Sequence, residues 1–293
     1  MKPAPFEYWK AQSVEQAIEW LASWGENAKI LAGGQSLLPM MKLRLAQPEQ
    51  LIDINGIASL SQIEEDDYSL KIGALVRHYE LEESVVVRKQ CPILAEAAGL
   101  IGHPQIRHRG TIGGSLCHAD PCAEFPTVLM ALEAEIVVQG PQGSKKNIRA
   151  GDFFLSYLTT ALDDAELLTG AIVPALPPQA GWSFVEMTDV DGGLAVVCVA
   201  AILEMDSDRV CRKARVALGG VAPTPIRVEQ AEMFLEGEFI EDEIVDAAAG
   251  VVASVIEPES DMLHTADHKK AVAGALTRRA IVEAAQRAQG GLR

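Results

Sequence analysis

Two segments of the chain pair adjacent glycines with a small hydroxyl residue, and they constrain everything around them. The first is Leu31-Ala32-Gly33-Gly34-Gln35-Ser36-Leu37-Leu38-Pro39, directly after a stretch that reads as a strand. The second is Thr111-Ile112-Gly113-Gly114-Ser115-Leu116-Cys117-His118-Ala119-Asp120-Pro121. Glycine lets the main chain approach a ligand and take positive φ, so successive N–H groups can point into one concavity and bind an anion. Ser36, Thr111 and Ser115 add hydroxyl donors. Two such loops from different subdomains would grip a diphosphate from both sides. The chain contains neither G-x-G-x-x-G nor G-x-x-x-x-G-K-[ST], which argues against a Rossmann dinucleotide site and a P-loop.

The order of elements around these segments predicts an α+β chain. Ser13-Val14-Glu15-Gln16 matches a capping box, and Val14, Ala17, Ile18 and Leu21 form a helical stripe ending near Gly25. Ala28–Leu31 and Leu51–Ile54 read as strands, so the opening is βαβ-like. From about residue 57 to 175, Leu70–Ala74, Glu135–Val138 and Leu167–Val173 read as strands, Pro92–Leu100 as a short helix and Gly140–Gly143 as a turn. The prolines of Val173-Pro174-Ala175-Leu176-Pro177-Pro178 mark a linker, because they deny helix and central strand alike. Beyond it, Phe184–Met187, Leu194–Leu203 and Val210–Leu218 predict an antiparallel sheet. Helices follow over Val228–Leu235, Asp242–Val255 and about Lys269–Ala288. The expected domains are residues 1–175, with subdomains of about 1–56 and 57–175, and residues 178–293.

Composition closes off other classes. A net charge of −16 over 293 residues argues against nucleic acid, which needs clustered Lys and Arg. The longest apolar run, Leu194–Leu203, is about half the ~20 residues that cross a bilayer. Five cysteines at irregular spacing make no disulfide framework and fit a reducing cytoplasm, and no secretory signal is visible at the start.

The two glycine segments also carry a resemblance. AGGQSLLP resembles the first FAD motif of the medium subunits in the carbon monoxide dehydrogenase and xanthine dehydrogenase family of molybdenum hydroxylases. Gln105-Ile106-Arg107, leading through Gly110 to TIGGSLCHADPCAE, resembles the second, and Ala217-Leu218-Gly219-Gly220-Val221-Ala222-Pro223-Thr224-Pro225 resembles the C-terminal signature. The resemblance keeps its order over nearly the whole chain. It implies a two-part FAD-binding domain similar to the vanillyl-alcohol oxidase (PCMH-type) fold, followed by a smaller α+β domain with an antiparallel sheet and helices. By motif match, Ala32, Gly33, Gly34, Gln35, Ser36 and Leu37 would hold the pyrophosphate. Thr111, Gly113, Gly114 and Ser115 would line the other side and the flavin edge, with Asp120 in the same segment. Ile101 and Leu168 fall where the family packs apolar groups on the cofactor. Glu124 stands where the family usually has Asp.

The resemblance further implies an electron-transfer role. Substrate would be hydroxylated at molybdenum in a large molybdopterin-binding subunit, and electrons would cross 2Fe-2S clusters in a small subunit to FAD here. They would leave for NAD, a quinone, oxygen or another acceptor. The assembly implied is a dimer of heterotrimers. This chain lacks the C-x₄-C-x₂-C spacing of an iron–sulfur subunit and any molybdopterin motif, so both centres are expected in partners. The alternative is a self-sufficient FAD-dependent reductase using NAD(P)H, for which no substrate-binding or proton-donating residue stands out.

One departure concerns Phe184-Val185-Glu186-Met187-Thr188-Asp189, where the family is often basic. A lost cation there would disfavour anionic reduced flavin, and no function is carried onto Glu186 or Asp189. Other polar groups read as follows. Cys117-His118-Ala119-Asp120-Pro121-Cys122 lacks the second ligand pair of a zinc site and reads as a turn. His264 and His268 share a helix face without the Glu of H-E-x-x-H. His103 and His108 flank Pro104 ahead of the second segment. Arg107 and Arg109 are candidates to face phosphate or a partner. Trp9, Trp20, Trp24 and Trp182 read as core or interface anchors.

Overall fold

The computed structural model describes residues 2–290. Its first lobe is a three-stranded parallel sheet in the order Glu7–Lys10, Gln50–Asp53, Ala28–Leu31. The helix Val14–Trp24 begins where expected, with Ser13 Oγ accepting from the Gln16 amide at 3.2 Å. It buries Val14, Ala17, Ile18 and Leu21 against this sheet lobe. A second helix, Leu37–Leu43, follows the first glycine segment.

The second lobe is a five-stranded antiparallel sheet in the order Ile63–Glu65, Ser69–Gly73, Leu167–Pro174, Glu135–Gln139, Lys145–Arg149. Short helices, among them Pro92–Leu100, Ile112–His118 and Glu124–Ala131, pack with it into one core.

After the proline-rich stretch comes a four-stranded antiparallel sheet: Ala180–Thr188, Ala195–Met205, Cys211–Gly219 and Ile226–Arg227. The helices Glu229–Leu235, Asp242–Val255 and Ala266–Ala288 pack on one of its faces. The unbroken apolar run at its centre has a physical reason. Val197, Val199, Ala201 and Leu203 bury toward those helices, while Cys198, Ala200 and Ile202 bury toward the second lobe. A strand covered on both faces needs no polar alternation.

Ion pairs reinforce the seam. Glu133, from the second lobe, pairs with Lys213 at 3.0 Å, Arg215 at 3.3 Å and Arg227 at 2.7 Å, all on the last sheet. Trp9, Trp20 and Trp24 cluster with ring centroids 5.3–5.8 Å apart, and Arg287 stacks on Trp182 at 5.4 Å. All five cysteines are free thiols. Among the described residues no helix is long and apolar enough to cross a membrane.

Candidate functional site

The strand Ala28–Leu31 runs straight into the first glycine segment, and the chain turns there before the helix Leu37–Leu43. Gly34 takes φ +72°, a region that L side chains rarely adopt. Within the turn, the amides of Ala32, Gly33, Gly34, Gln35, Ser36 and Leu37 have no hydrogen-bond acceptor among the described residues; the first internal bond is Leu38 N–H to the Gly34 carbonyl at 3.2 Å. Buried or half-buried N–H groups of the main chain are almost always paired. A run of unpaired ones is an anion site in form.

The second segment lies directly against the first. A methyl group on Gly33 would overlap the Arg109 carbonyl and sit 2.9 Å from the Gly110 Cα. The two turns therefore converge, as the sequence reading requires. Their chemistry differs from that reading in one respect. Thr111 to Ser115 is not a loop of free amides but the start of the helix Ile112–His118, capped by Thr111. Ile112 N–H donates to Val76, Gly113 N–H to Ala74 at 2.9 Å, Gly114 N–H to Thr111 Oγ1 at 3.1 Å and Ser115 N–H to the Thr111 carbonyl. The helix start consumes these donors. What remains on this side is a close-packed wall with the Ser115 hydroxyl.

At the far end of this helix Ala119 reverses the chain with φ +51°, and Asp120 Oδ1 accepts from the Cys122 amide at 2.9 Å, the turn anticipated from Asp-Pro. Glu124 opens the next helix and is 5% exposed. Burial, helped by the nearby Glu186 and Asp120 charges, pushes its carboxyl up to about 8. Glu186 shares with Phe184 the strand face directed at the second lobe, and one of its carboxyl oxygens is buried without a hydrogen-bond partner among the described residues. Burial raises its pKa to about 7. Asp189 Oδ1 lies 3.0 Å from His264 Nε2, and the His103 ring packs beside Gly192 in the adjoining loop.

The raised Glu124 has a consequence for stability. Its folded pKa, about 8, exceeds the ordinary carboxyl value of 4.5. Its favourable contribution is thus complete below pH 4.5 and is lost as pH rises through 8. Glu124→Gln is expected to match the parent chain near pH 4 and to be more stable by on the order of 2–4 kcal/mol near pH 9. Unfolding midpoints at the two pH values check this; equal differences at both would refute it.

The surroundings of the remaining candidates are as follows. Leu168 is 2% exposed and points into the core, with its main chain paired to Val138, so its side chain packs behind the site. Ile101 is also largely buried, at the end of the helix Pro92–Leu100. Arg107 is committed within the protein: it pairs with Glu82 at 2.7 Å and donates to the Gly102 carbonyl at 2.8 Å. Arg109 is exposed and has no ion pair among the described residues. Two groups escaped the sequence reading. His78 is buried beneath Gly110 and edge-on to Phe125, and burial lowers its pKa to about 4, so the ring is neutral near pH 7. Asn55 and Arg77 join the two glycine segments. Neither sits in a motif. Among the described residues no three His, Cys, Asp or Glu side chains are arranged to hold a metal ion.

A parallel lobe and an antiparallel lobe meeting at paired glycine turns, followed by a sheet-and-helix domain, define a flavoprotein architecture. Residues 4–176 match the family described as "FAD binding domain in molybdopterin dehydrogenase", and residues 182–284 match "CO dehydrogenase flavoprotein C-terminal domain". The chain belongs to this family of FAD-binding oxidoreductase subunits. It is 41% identical over 281 residues to the carbon monoxide dehydrogenase medium chain of Hydrogenophaga pseudoflava, covering 96% of this chain and 97% of that one. It is 38% identical over 289 residues to the 6-hydroxypseudooxynicotine dehydrogenase complex subunit alpha of Paenarthrobacter nicotinovorans, covering 99% and 97%. The crystallised carbon monoxide dehydrogenase from Hydrogenophaga pseudoflava superimposes with a TM-score of 0.95, covering 98% of this chain and 99% of that chain at 41% identity. Quinoline 2-oxidoreductase from Pseudomonas putida 86 gives a TM-score of 0.93 at 35% identity, covering 98% and 99%.

Proposed function

We propose that this chain is the electron-transferring FAD subunit of a heteromeric molybdenum hydroxylase. The observation that carries the reading is the run of acceptorless amides from Ala32 to Leu37, held against Arg109 and Gly110. It suits one end of a dinucleotide, the diphosphate. In this reading the amides of Ala32, Gly33, Gly34, Gln35, Ser36 and Leu37 bind the phosphate oxygens, and Ser36 adds its hydroxyl. Thr111, Gly113, Gly114 and Ser115 form the opposite wall. Ile101 closes the apolar side, Leu168 supports it from behind, and Asp120 and Glu124 supply polar groups at the far end of the wall.

Flavin, when bound, exchanges electrons singly or in pairs, which lets it collect from one-electron centres and deliver to a two-electron acceptor. The chain's own task is to hold it. The partners in this reading are a large molybdopterin-binding subunit and a small 2Fe-2S subunit, assembled as a dimer of heterotrimers in the cytoplasm. The electrons leave to NAD, a quinone, oxygen or another external acceptor. The domain division at residues 175–178 belongs to the same proposal, with the proline-rich stretch as the joint.

Purification from the cells that make it tests this. The expected product is a yellow-brown complex of three different chains, with flavin and iron–sulfur absorbance and one FAD released per copy of this chain. A colourless chain that takes up no FAD would refute the reading. A yellow chain that oxidises NAD(P)H alone would replace it with the self-sufficient reductase.

A further inference from the structure

Asn55 follows the middle strand of the first lobe, and Arg77 precedes the helix His78–Glu83 of the second. Their side chains meet across the cleft. Arg77 Nη2 donates to Asn55 Oδ1 at 2.6 Å, and Arg77 Nη1 donates to the Arg109 carbonyl. Asn55 Nδ2 donates to the Ala32 carbonyl at 2.9 Å and to Asp53 Oδ1 at 2.7 Å. The Asp53 contact fixes which way the Asn55 amide faces, so its oxygen is the atom presented to Arg77. The chain of bonds therefore runs from Ala32, at the start of the free-amide turn, through Asn55 and Arg77 to Arg109, at the start of the opposite wall.

We propose that Asn55 and Arg77 form a two-residue clasp that sets the spacing of the FAD cleft, acting as positioning residues for the diphosphate. The proposal rests on the reading of Ala32–Leu37 as the phosphate-binding turn. The two carbonyls the clasp grips belong to the residues just before Gly33 and Gly110, so it fastens the point where the two glycine segments meet. Arg77 suits this place because a planar guanidinium can bond two acceptors in fixed directions, which an ammonium cannot. Burial, then the neighbouring Arg109 charge, lowers the Arg77 pKa, as expected of a cation partly withdrawn from water beside another cation. A preorganised cleft leaves its amides aimed before the ligand arrives, so less affinity is lost to ordering.

The two side chains act as one unit under this proposal, which a double-mutant cycle reads directly. The complex is purified, stripped of FAD and titrated with FAD by flavin fluorescence, with ADP as a competing probe for the diphosphate end. Asn55→Ala and Arg77→Ala are each expected to weaken FAD and ADP by roughly tenfold or more, the size of a lost charged hydrogen bond. The double variant is expected to be no weaker than the worse single. Arg77→Lys, which keeps the charge and loses the fork, is expected to behave like Arg77→Ala. Asn55→Ser provides a milder break of the same link should Asn55→Ala fold poorly. Multiplicative losses, or an Arg77→Lys chain with unchanged affinity, would overturn the clasp in favour of independent contacts or a charge effect. If no variant of the stripped complex binds ADP and neither does the parent, the phosphate-turn reading fails first.

Discussion

Gly33→Ala is expected to give a folded chain that emerges from purification with less than roughly a tenth of its normal FAD, a loss of more than about 1.4 kcal/mol in binding. The added methyl would meet the Arg109 carbonyl oxygen, the Arg109 carbonyl carbon at 3.0 Å and the Gly110 Cα at 2.9 Å. All three are main-chain atoms, so no rotamer change relieves the overlap. The turn must shift away from the wall, and the six amides then lose their common aim. Gly34→Ala provides an internal comparison. Its difficulty is the positive φ, about 1–2 kcal/mol for an L residue, and its nearest neighbour at 2.9 Å is the mobile end of Leu38. It is expected to retain more flavin than Gly33→Ala. The ratio of released FAD to protein after gel filtration decides both, and full flavin content in Gly33→Ala would count against the described contact.

The second large effect lies away from the cleft. Gly181→Ala is expected to lower stability by about 3 kcal/mol. A methyl there would overlap the Ala284 carbonyl and reach 2.6 Å from the Ala288 amide nitrogen, both on the backbone of the helix Ala266–Ala288. That helix buries small residues, Ala273, Ala280, Ala284 and Ala285, which permits a close approach to the strand Ala180–Thr188 and leaves no slack for a Cβ. Trp182 is the next residue and carries Arg287 over its ring, so its fluorescence reports the docking of the helix. Urea unfolding followed at Trp182 should move to lower denaturant. An unchanged midpoint would mean that the helix does not pack as described.

Elements with strong local signatures were legible in the sequence. The capping box of Ser13 and Gln16, the apolar centre of Ala195–Met205 and the prolines around residue 175 each act through their own residues. Elements defined by partners were not. Glu7–Lys10 exposes all four side chains, so no alternation marks it, and only its pairing with Gln50–Asp53 makes it a strand. The helix Ile112–His118 carries two glycines in its first turn, a composition that argues against helix. Its signal was Thr111 as a cap, with the hydroxyl three residues ahead of the amide it accepts from.

The site divided in the same way. The first glycine turn was readable because its donors are its own amides. The second was misread as an amide loop because Val76 and Ala74, which take its N–H groups, lie more than thirty residues earlier in sequence. Asn55 and Arg77 are ordinary loop polar residues by any local criterion, and their meaning is a contact between lobes. Arg107 looked available for phosphate only because its partner, Glu82, belongs to a different helix.

The most direct test is amide hydrogen exchange on the purified complex with FAD bound and after FAD is removed. Without FAD, the amides of residues 32–37 should exchange rapidly and those of residues 112–115 slowly, because only the latter already have acceptors. With FAD, residues 32–37 should become protected by at least roughly tenfold while residues 112–115 change little. Protection that appears at residues 112–115 alone, with residues 32–37 still exchanging freely, would contradict the account.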